Sequence, residues 1–197
     1  MAASAIIQIP DLDHFTFGTS SNEIEEQEHE KFTKIERIRS IFSAGGTVRS
    51  VRAIVLAHIH NHPHVLLLEK NSDNSKIIPG GILTPGEDDE TGLQRLLSKK
   101  MNLIEGSYEI SELIATWYRP QFTEHLFPYL PVHITIPKEV ERWYLVLLPE
   151  KGFFGIPPKY KLHAVPFYDL QEGDQRIFGK QLPTIPLLVS RFNIEPI

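Results

Sequence analysis

Cysteine is absent from the 197 residues. That excludes disulfides and thiolate metal sites and fits a reducing compartment, cytosol or nucleus. No apolar run approaches the roughly 18 residues that span a bilayer. The longest stretches, Ala53 to Ala57 and Leu145 to Leu148, are strand-sized. Met1 to Pro10 lacks the basic start and long apolar core of a signal peptide. A cationic excess is missing too. The net charge is −5, whereas nucleic-acid binders are typically basic, because phosphate neutralisation supplies most of their affinity. A nucleic-acid role would need a local basic patch, readout of a few bases, or a basic partner. No internal repeat is visible.

What is present suits a soluble globular chain: 41% hydrophobic and 23% charged residues, at a length that builds one core. An acidic stretch at Asn22 to Glu30 leads into Lys31 to Phe42. There Phe32, Ile35, Ile38 and Phe42 recur at helical spacing, interleaved with Lys31, Lys34, Arg37 and Arg39. This predicts an amphipathic helix, acidic at its start and basic at its end, closed by Gly45-Gly46. Strand-like runs follow at Val51 to Ile59 and His64 to Glu69, with a hairpin at Asn61-His62-Pro63. Pro79-Gly80-Gly81 and Thr84-Pro85-Gly86 mark a long turn region. Asp88 to Met101 reads as a helix with Leu93, Leu96, Leu97 and Met101 on one face. Strands are expected at Ile110 to Tyr118, Arg142 to Leu148 and Leu162 to Phe167, and a last helix at about Pro183 to Arg191. Interleaved helices and hairpins favour a mixed sheet over a doubly wound parallel one.

One spacing stands out. Gly81 is followed by five residues and then Glu87, seven more lead to Arg95, and Leu103 comes eight further on. The segment resembles the Nudix box, in which carboxylates one helical turn apart hold Mg²⁺ or Mn²⁺ for pyrophosphate cleavage. The match fails at the catalytic positions. Leu96 stands at the catalytic glutamate, Lys99 and Lys100 at the paired glutamates, and Asn102 at the glycine. Among the box carboxylates Glu87 alone is kept, and two lysines repel a divalent cation. The expectation is a chain with no catalytic residues, no metal site and no cofactor. Lys99 and Lys100 read as solvated.

Several family-like segments, notably Trp117-Tyr118-Arg119-Pro120 and Pro137-Lys138-Glu139, lie outside any general Nudix pattern, and Pro128-Tyr129 to Thr135 and Pro157 to Leu162 stand beside them. With His62 to Leu68, Pro79-Gly80-Gly81, Pro85 to Asp88 and Gly92-Leu93, they resemble the Nudix-like small subunit of pre-mRNA cleavage factor I, the family of cleavage and polyadenylation specificity factor subunit 5. The resemblance runs from His14 to Phe192. It implies an α/β Nudix fold, a mixed β-sheet sandwiched between helices, with an N-terminal helix and a C-terminal helical extension. Residues 1–20 are expected as an N-terminal extension. A single domain follows over 21–197, made of the helix at 21–46, the core at 47–170 and the C-terminal segment at 171–197.

The same resemblance implies a nuclear homodimer that binds UGUA-type RNA and docks a larger, RRM-containing subunit. Glu26, Lys34, Arg52, Ser75, Lys76, Ile78 and Phe178 are then the RNA-site residues, and Phe127 and Tyr129 the partner surface. The chain departs from the family at this site. Ser75 and Lys76 stand where the family has adjacent aromatics on which bases stack, at about 1–3 kcal/mol per base. Arg52 replaces a base-contacting glutamate, and Lys34 an arginine with a bidentate fork. These changes imply altered preference or weaker affinity. Two alternatives remain: a protein–protein adaptor that does not read RNA, and an active Nudix hydrolase. His58, His60, His62 and His64 alternate and invite a metal reading, but a turn at Pro63 would break their geometry, and surface hairpin residues are the default.

Overall fold

Strand β3, Val48–Ile59, is the spine of the molecule. The structure, a computed structural model, describes residues 5–20, 33–72 and 74–197. Successive side chains on a strand point to opposite faces, and β3 divides accordingly. Val51, Ala53, Val55 and Ala57 enter one apolar cluster, and Ile54 and Leu56 enter another. Both faces are covered, so the run is almost continuously apolar.

Around β3 lie β4 (His62–Lys70), β7 (Glu109–Arg119), β8 (Glu139–Leu147) and β10 (Tyr160–Pro166), in the order β10-β4-β3-β8-β7. The β3–β8 pair is parallel and the other pairs along this path are antiparallel. Two short strands, β5 (Lys76–Ile77) and β6 (Gly80–Ile82), pair with β4 and β3. Helix α2 (Asp89–Met101) buries Leu93, Leu96, Leu97 and Met101 on one sheet face. The other face is covered by α3 (Phe167–Glu172), whose Leu170 is fully buried, and by residues of a C-terminal 3₁₀ turn and helix. The mixed α/β sheet expected from the sequence is present.

The differences have local causes. The β3–β4 turn falls at His60 and Asn61, both at positive φ, and Pro63 sits inside β4 opposite His58. Asparagine tolerates that left-handed geometry, so the turn precedes the proline. The segment read as a long turn contains β6, which begins at Gly80. At φ +140° this glycine lies so close to β3 that a Cβ would come within 2.1 Å of the Val51 carbonyl oxygen. The final helix divides into a 3₁₀ turn at Leu182–Thr184 and α5 (Ile185–Val189), within the expected range. The first helix, α1 (Lys34–Gly45), begins later than expected and has no basic residue in its last turn. Its cations lie in its first half. The acidic stretch before it, Glu26 included, lies outside the described residues.

Two strands of the described N-terminal residues pair with later ones. Strand β1 (Ile6–Ile9) pairs in parallel with β11 (Asn193–Pro196), and β2 (Phe15–Thr19) with β9 (Gly152–Ile156). Ile7, Ile9 and Phe15 are buried in the two cores. Of the alternating histidines, His58 is buried with Nε2 3.1 Å from the Ile197 carbonyl oxygen. The His64 Nδ1 lies 2.7 Å from the carbonyl of His62. The described residues contain no group of three or more metal-ligating His, Asp or Glu side chains.

Candidate functional site

Thr33 caps α1. Its hydroxyl accepts from the Glu36 N–H at 3.3 Å, while the Glu36 carboxylate accepts from the Thr33 N–H at 2.7 Å. This reciprocal capping box fixes where the helix starts and makes Lys34 its first residue. Thr33→Ala is expected to cost about 1 kcal/mol, read as a lower urea midpoint with an unchanged m-value.

Lys34 points at strand β8. Its Nζ lies 3.4 Å from Glu141 and 3.7 Å from Glu139. Strand alternation places Glu139, Glu141 and Trp143 on the sheet face opposite α2, beside Ser50 and Arg52 of β3. The Arg52 Nε meets Glu141 at 3.2 Å, and its Nη1 lies 3.5 Å from the Ile78 carbonyl oxygen. The Trp143 indole donates to Glu141 at 2.9 Å. Behind them, the Arg119 Nε donates to Glu139 at 2.8 Å and the Ser50 hydroxyl donates to Glu139 at 2.6 Å. Burial alone would raise the Glu141 carboxyl. The charges of Arg52 and then Lys34, with the Trp143 and Arg52 hydrogen bonds, outweigh it and hold Glu141 below the ordinary range.

This polar floor underlies a cavity of about 370 Å³. Lys34, Arg52, Ser75, Lys76, Ile78 and Phe178 all line it. Six of the seven residues nominated from sequence therefore meet in one place, and Glu26 is the seventh. Phe178 ends the short helix α4 (Gln175–Phe178). Its ring packs so tightly on Gly173 that a Cβ there would lie 2.2 Å from it. Lys76 is tied to Glu69 at 2.6 Å and sits 5.9 Å from the centre of the Phe178 ring. The sequence reading missed the floor itself: Arg119, Glu139, Glu141 and Trp143. Its signal was the alternation Glu139, Glu141, Trp143, hidden because the strand was expected to start at Arg142.

The box segment lies on the other face of the sheet. Arg95 grips Glu87 with two parallel bonds of 2.8 Å, and Glu87 also accepts from the Thr84 N–H at 2.8 Å. These contacts hold the Glu87 carboxyl down at about 2, the Arg95 bond foremost. A lowered carboxyl contributes stability above its unfolded value, lost as pH falls through the folded value. Wild type should therefore lose stability from about pH 4.5 down to about 2. Glu87→Gln should flatten the thermal midpoint over that window.

Asp88 caps α2, accepting from the N–H groups of Glu90 and Thr91 at 3.0 Å each. Asp89 is held by Arg142 at 2.7 Å, by the Tyr144 hydroxyl at 2.8 Å and by Arg49. Asn102 takes the left-handed position ending α2, at φ 53°. Asparagine tolerates this position best after glycine, which explains how the box glycine is replaced. Lys100 corrects the sequence expectation. It is 8% exposed, with Nζ 5.6 Å from the centre of the Tyr160 ring. Lys99 is only half-buried.

Phe127 and Tyr129 lie away from the cavity floor on an exposed segment, their rings 5.9 Å apart. Val132 and Ile136 are exposed beside them in sequence. The backbone of Phe127 exchanges two hydrogen bonds with Tyr118, which ties this segment to β7.

The sheet and the loop–helix at its centre define the Nudix class. The family profile described as nucleotide hydrolase matches residues 5–192. The fold is also that of an Ap4A hydrolase of C. elegans, at a TM-score of 0.52 and 14% identity, covering 74% of this chain and 94% of that one. A UDP-X diphosphatase also has a TM-score of 0.52, at 13% identity, covering 86% of this chain and 79% of that one. Within that class the sequence is 37% identical, over 100% of this chain and 99% of the relative, to pre-mRNA cleavage factor Im 25 kDa subunit 2 of Arabidopsis thaliana. It is also 37% identical to cleavage and polyadenylation specificity factor subunit 5 of Dictyostelium discoideum, over 94% of this chain and 96% of that one. The chain belongs to the family of Nudix-fold 25 kDa subunits of pre-mRNA cleavage factor Im. Those relatives are named as cleavage factor subunits, not as hydrolases.

Proposed function

We propose that this chain is a non-catalytic RNA-binding and scaffold subunit of the nuclear pre-mRNA 3′-end cleavage and polyadenylation machinery. It binds UGUA-type RNA as a homodimer and docks a larger RRM-containing subunit. The observation that carries the reading is the convergence of Lys34, Arg52, Ser75, Lys76, Ile78 and Phe178 on one cavity. Glu26 is proposed to join them from outside the described residues. The exposed Phe127 and Tyr129 suit a partner surface, because aromatics make good interface anchors. Within the cavity, Arg52 and Lys34 offer donors to base edges or phosphates, and Phe178 offers a stacking face.

Hydrolysis is disfavoured by the box chemistry. Both Glu87 oxygens are engaged by Arg95, and Leu96, Lys99 and Lys100 stand at the other carboxylate positions. A specific observation favours the adaptor alternative: Glu139 and Glu141 already face Lys34 and Arg52 and offset part of the charge an RNA would meet. Titration of labelled UGUA RNA against a scrambled control separates the two readings. RNA reading predicts tighter binding of UGUA. Equal and very weak binding of both, with capture of an RRM partner intact, supports the adaptor.

A further inference from the structure

Among the described residues, the cations lining the 370 Å³ cavity are Lys34, Arg52, Lys76, Arg119 and Arg176. All but the last are already neutralised. Lys34 and Arg52 share Glu141, Lys76 is tied to Glu69, and Arg119 to Glu139. An anion entering the cavity would meet those side chains as ion pairs and would have to compete with a carboxylate for each. Arg176 differs. Among the described residues it makes no ion pair, neither with Glu124, the other acid of the lining besides Glu141, nor with its sequence neighbour Asp174. The Asp174 carboxylate is turned to the backbone, where it accepts from the Arg176 N–H at 2.8 Å.

The local structure sets where this charge stands. Helix α4 is a single turn, too short to hold itself. It is fixed from outside: the Ile177 and Phe178 N–H groups both donate to the Asp174 carbonyl, and Gly179 turns the chain away at φ 64°. The Phe178 ring is wedged on Gly173. Helix residues two apart do not face each other. Phe178 is accordingly half-buried, while Arg176 is exposed, although both line the cavity. The ring therefore faces inward and the guanidinium stands where the cavity opens to solvent. A nucleotide divides the same way. Its base has an apolar face that gains from stacking, and its phosphate is costly to take out of water. A base seated on Phe178 leaves its phosphate at the opening, where the arginine fork suits two phosphate oxygens at once.

We propose that Arg176 is the phosphate-contacting residue of the cavity, holding the phosphodiester of the nucleotide whose base stacks on Phe178. This rests on the RNA reading above and extends it. Phe178 and the polar floor face the base, and Arg176 adds affinity that does not depend on sequence.

Fluorescence anisotropy over a salt series tests this on two RNAs of six nucleotides, one with UGUA at its centre and one scrambled. Wild type is compared with Arg176→Gln and Arg176→Lys. Lys180→Gln is the charge control, because Lys180 is exposed and lies outside the lining. Thermal midpoints report folding in each case. Arg176→Gln should weaken both RNAs equally, by roughly two- to fivefold at low salt, the size of an exposed ion pair. It should also lower the log–log salt slope by about 0.7. Arg176→Lys should restore the slope and part of the affinity, and Lys180→Gln should change neither. The cycle is closed by UGUA RNAs in which one phosphodiester at a time is replaced by an uncharged methylphosphonate. One such linkage should weaken wild type and cost Arg176→Gln nothing further. Neutral linkages that cost both proteins the same, or a loss confined to the UGUA sequence, would overturn the phosphate role while wild type still prefers UGUA. A wild type without that preference would remove the RNA reading itself.

Discussion

Arg119→Ala should lower stability by about 3–5 kcal/mol, because it strips a buried charge of its ion-pair partner. Arg119 and Glu139 have side chains 2% and 0% exposed, and the pair holds together at 2.8 Å. Once Arg119 is gone, the remaining contacts of Glu139 are the Ser50 hydroxyl and the more distant Lys34. Arg119 also donates to the Thr123 carbonyl, so the loop after β7 should loosen as well. Urea denaturation measures the first effect, and hydrogen exchange at 120–126 the second. The double variant Arg119→Met/Glu139→Leu should recover most of the loss, since apolar replacement of a buried pair is often neutral or better. A single variant as stable as wild type would mean that the pair is not buried as described.

Phe178→Ala should weaken UGUA RNA by about 1–3 kcal/mol, the usual value of one stacked base, or roughly 5- to 150-fold. Among the described residues, Phe178 is the one phenylalanine in the cavity lining. Glu69 to Ile78 carries no aromatic residue, so more of the proposed stacking rests on this ring. A scrambled RNA should lose much less, because its binding rests on phosphate contacts that the substitution leaves intact. Affinity for both RNAs is read from the same titration. Equal losses on both would assign Phe178 to packing against Gly173 rather than to base contact.

The parts of the fold that were legible in the sequence are those with strong local periods. Helix α2 was found within one residue at its start, because Asp88 is a good cap and Leu93, Leu96, Leu97 and Met101 form a clear stripe. Strands β3 and β4 were found because apolar β-formers run through them. The parts that were missed depend on distant partners. β1 and β2 each pair with a strand from the far end of the chain, and no local pattern in a four- or five-residue segment announces that. β6 needs β3 beside Gly80, so it read as a turn.

The candidate site divides along the same line. Lys34, Arg52, Ser75, Lys76, Ile78 and Phe178 could be nominated one by one, because each falls within the span His14 to Phe192 over which the resemblance runs. Their floor could not, because Glu139 and Glu141 become neighbours of Lys34 and Arg52 only through the parallel β3–β8 pairing. Lys100 was misread for a related reason. On its own helix it is a last-turn cation, and its place over the Tyr160 ring of β10 is a contact from far along the chain.

Photocrosslinking can locate RNA bound to the chain. A UGUA tetranucleotide carrying 4-thiouridine would be irradiated with the full-length chain and the attached peptides mapped by mass spectrometry. Attachment is expected within the cavity lining, on peptides carrying Lys34, the Ser75 to Ile78 segment or Phe178. Attachment confined to the exposed Phe127 to Ile136 segment, or none beyond that of a scrambled tetranucleotide, would contradict it.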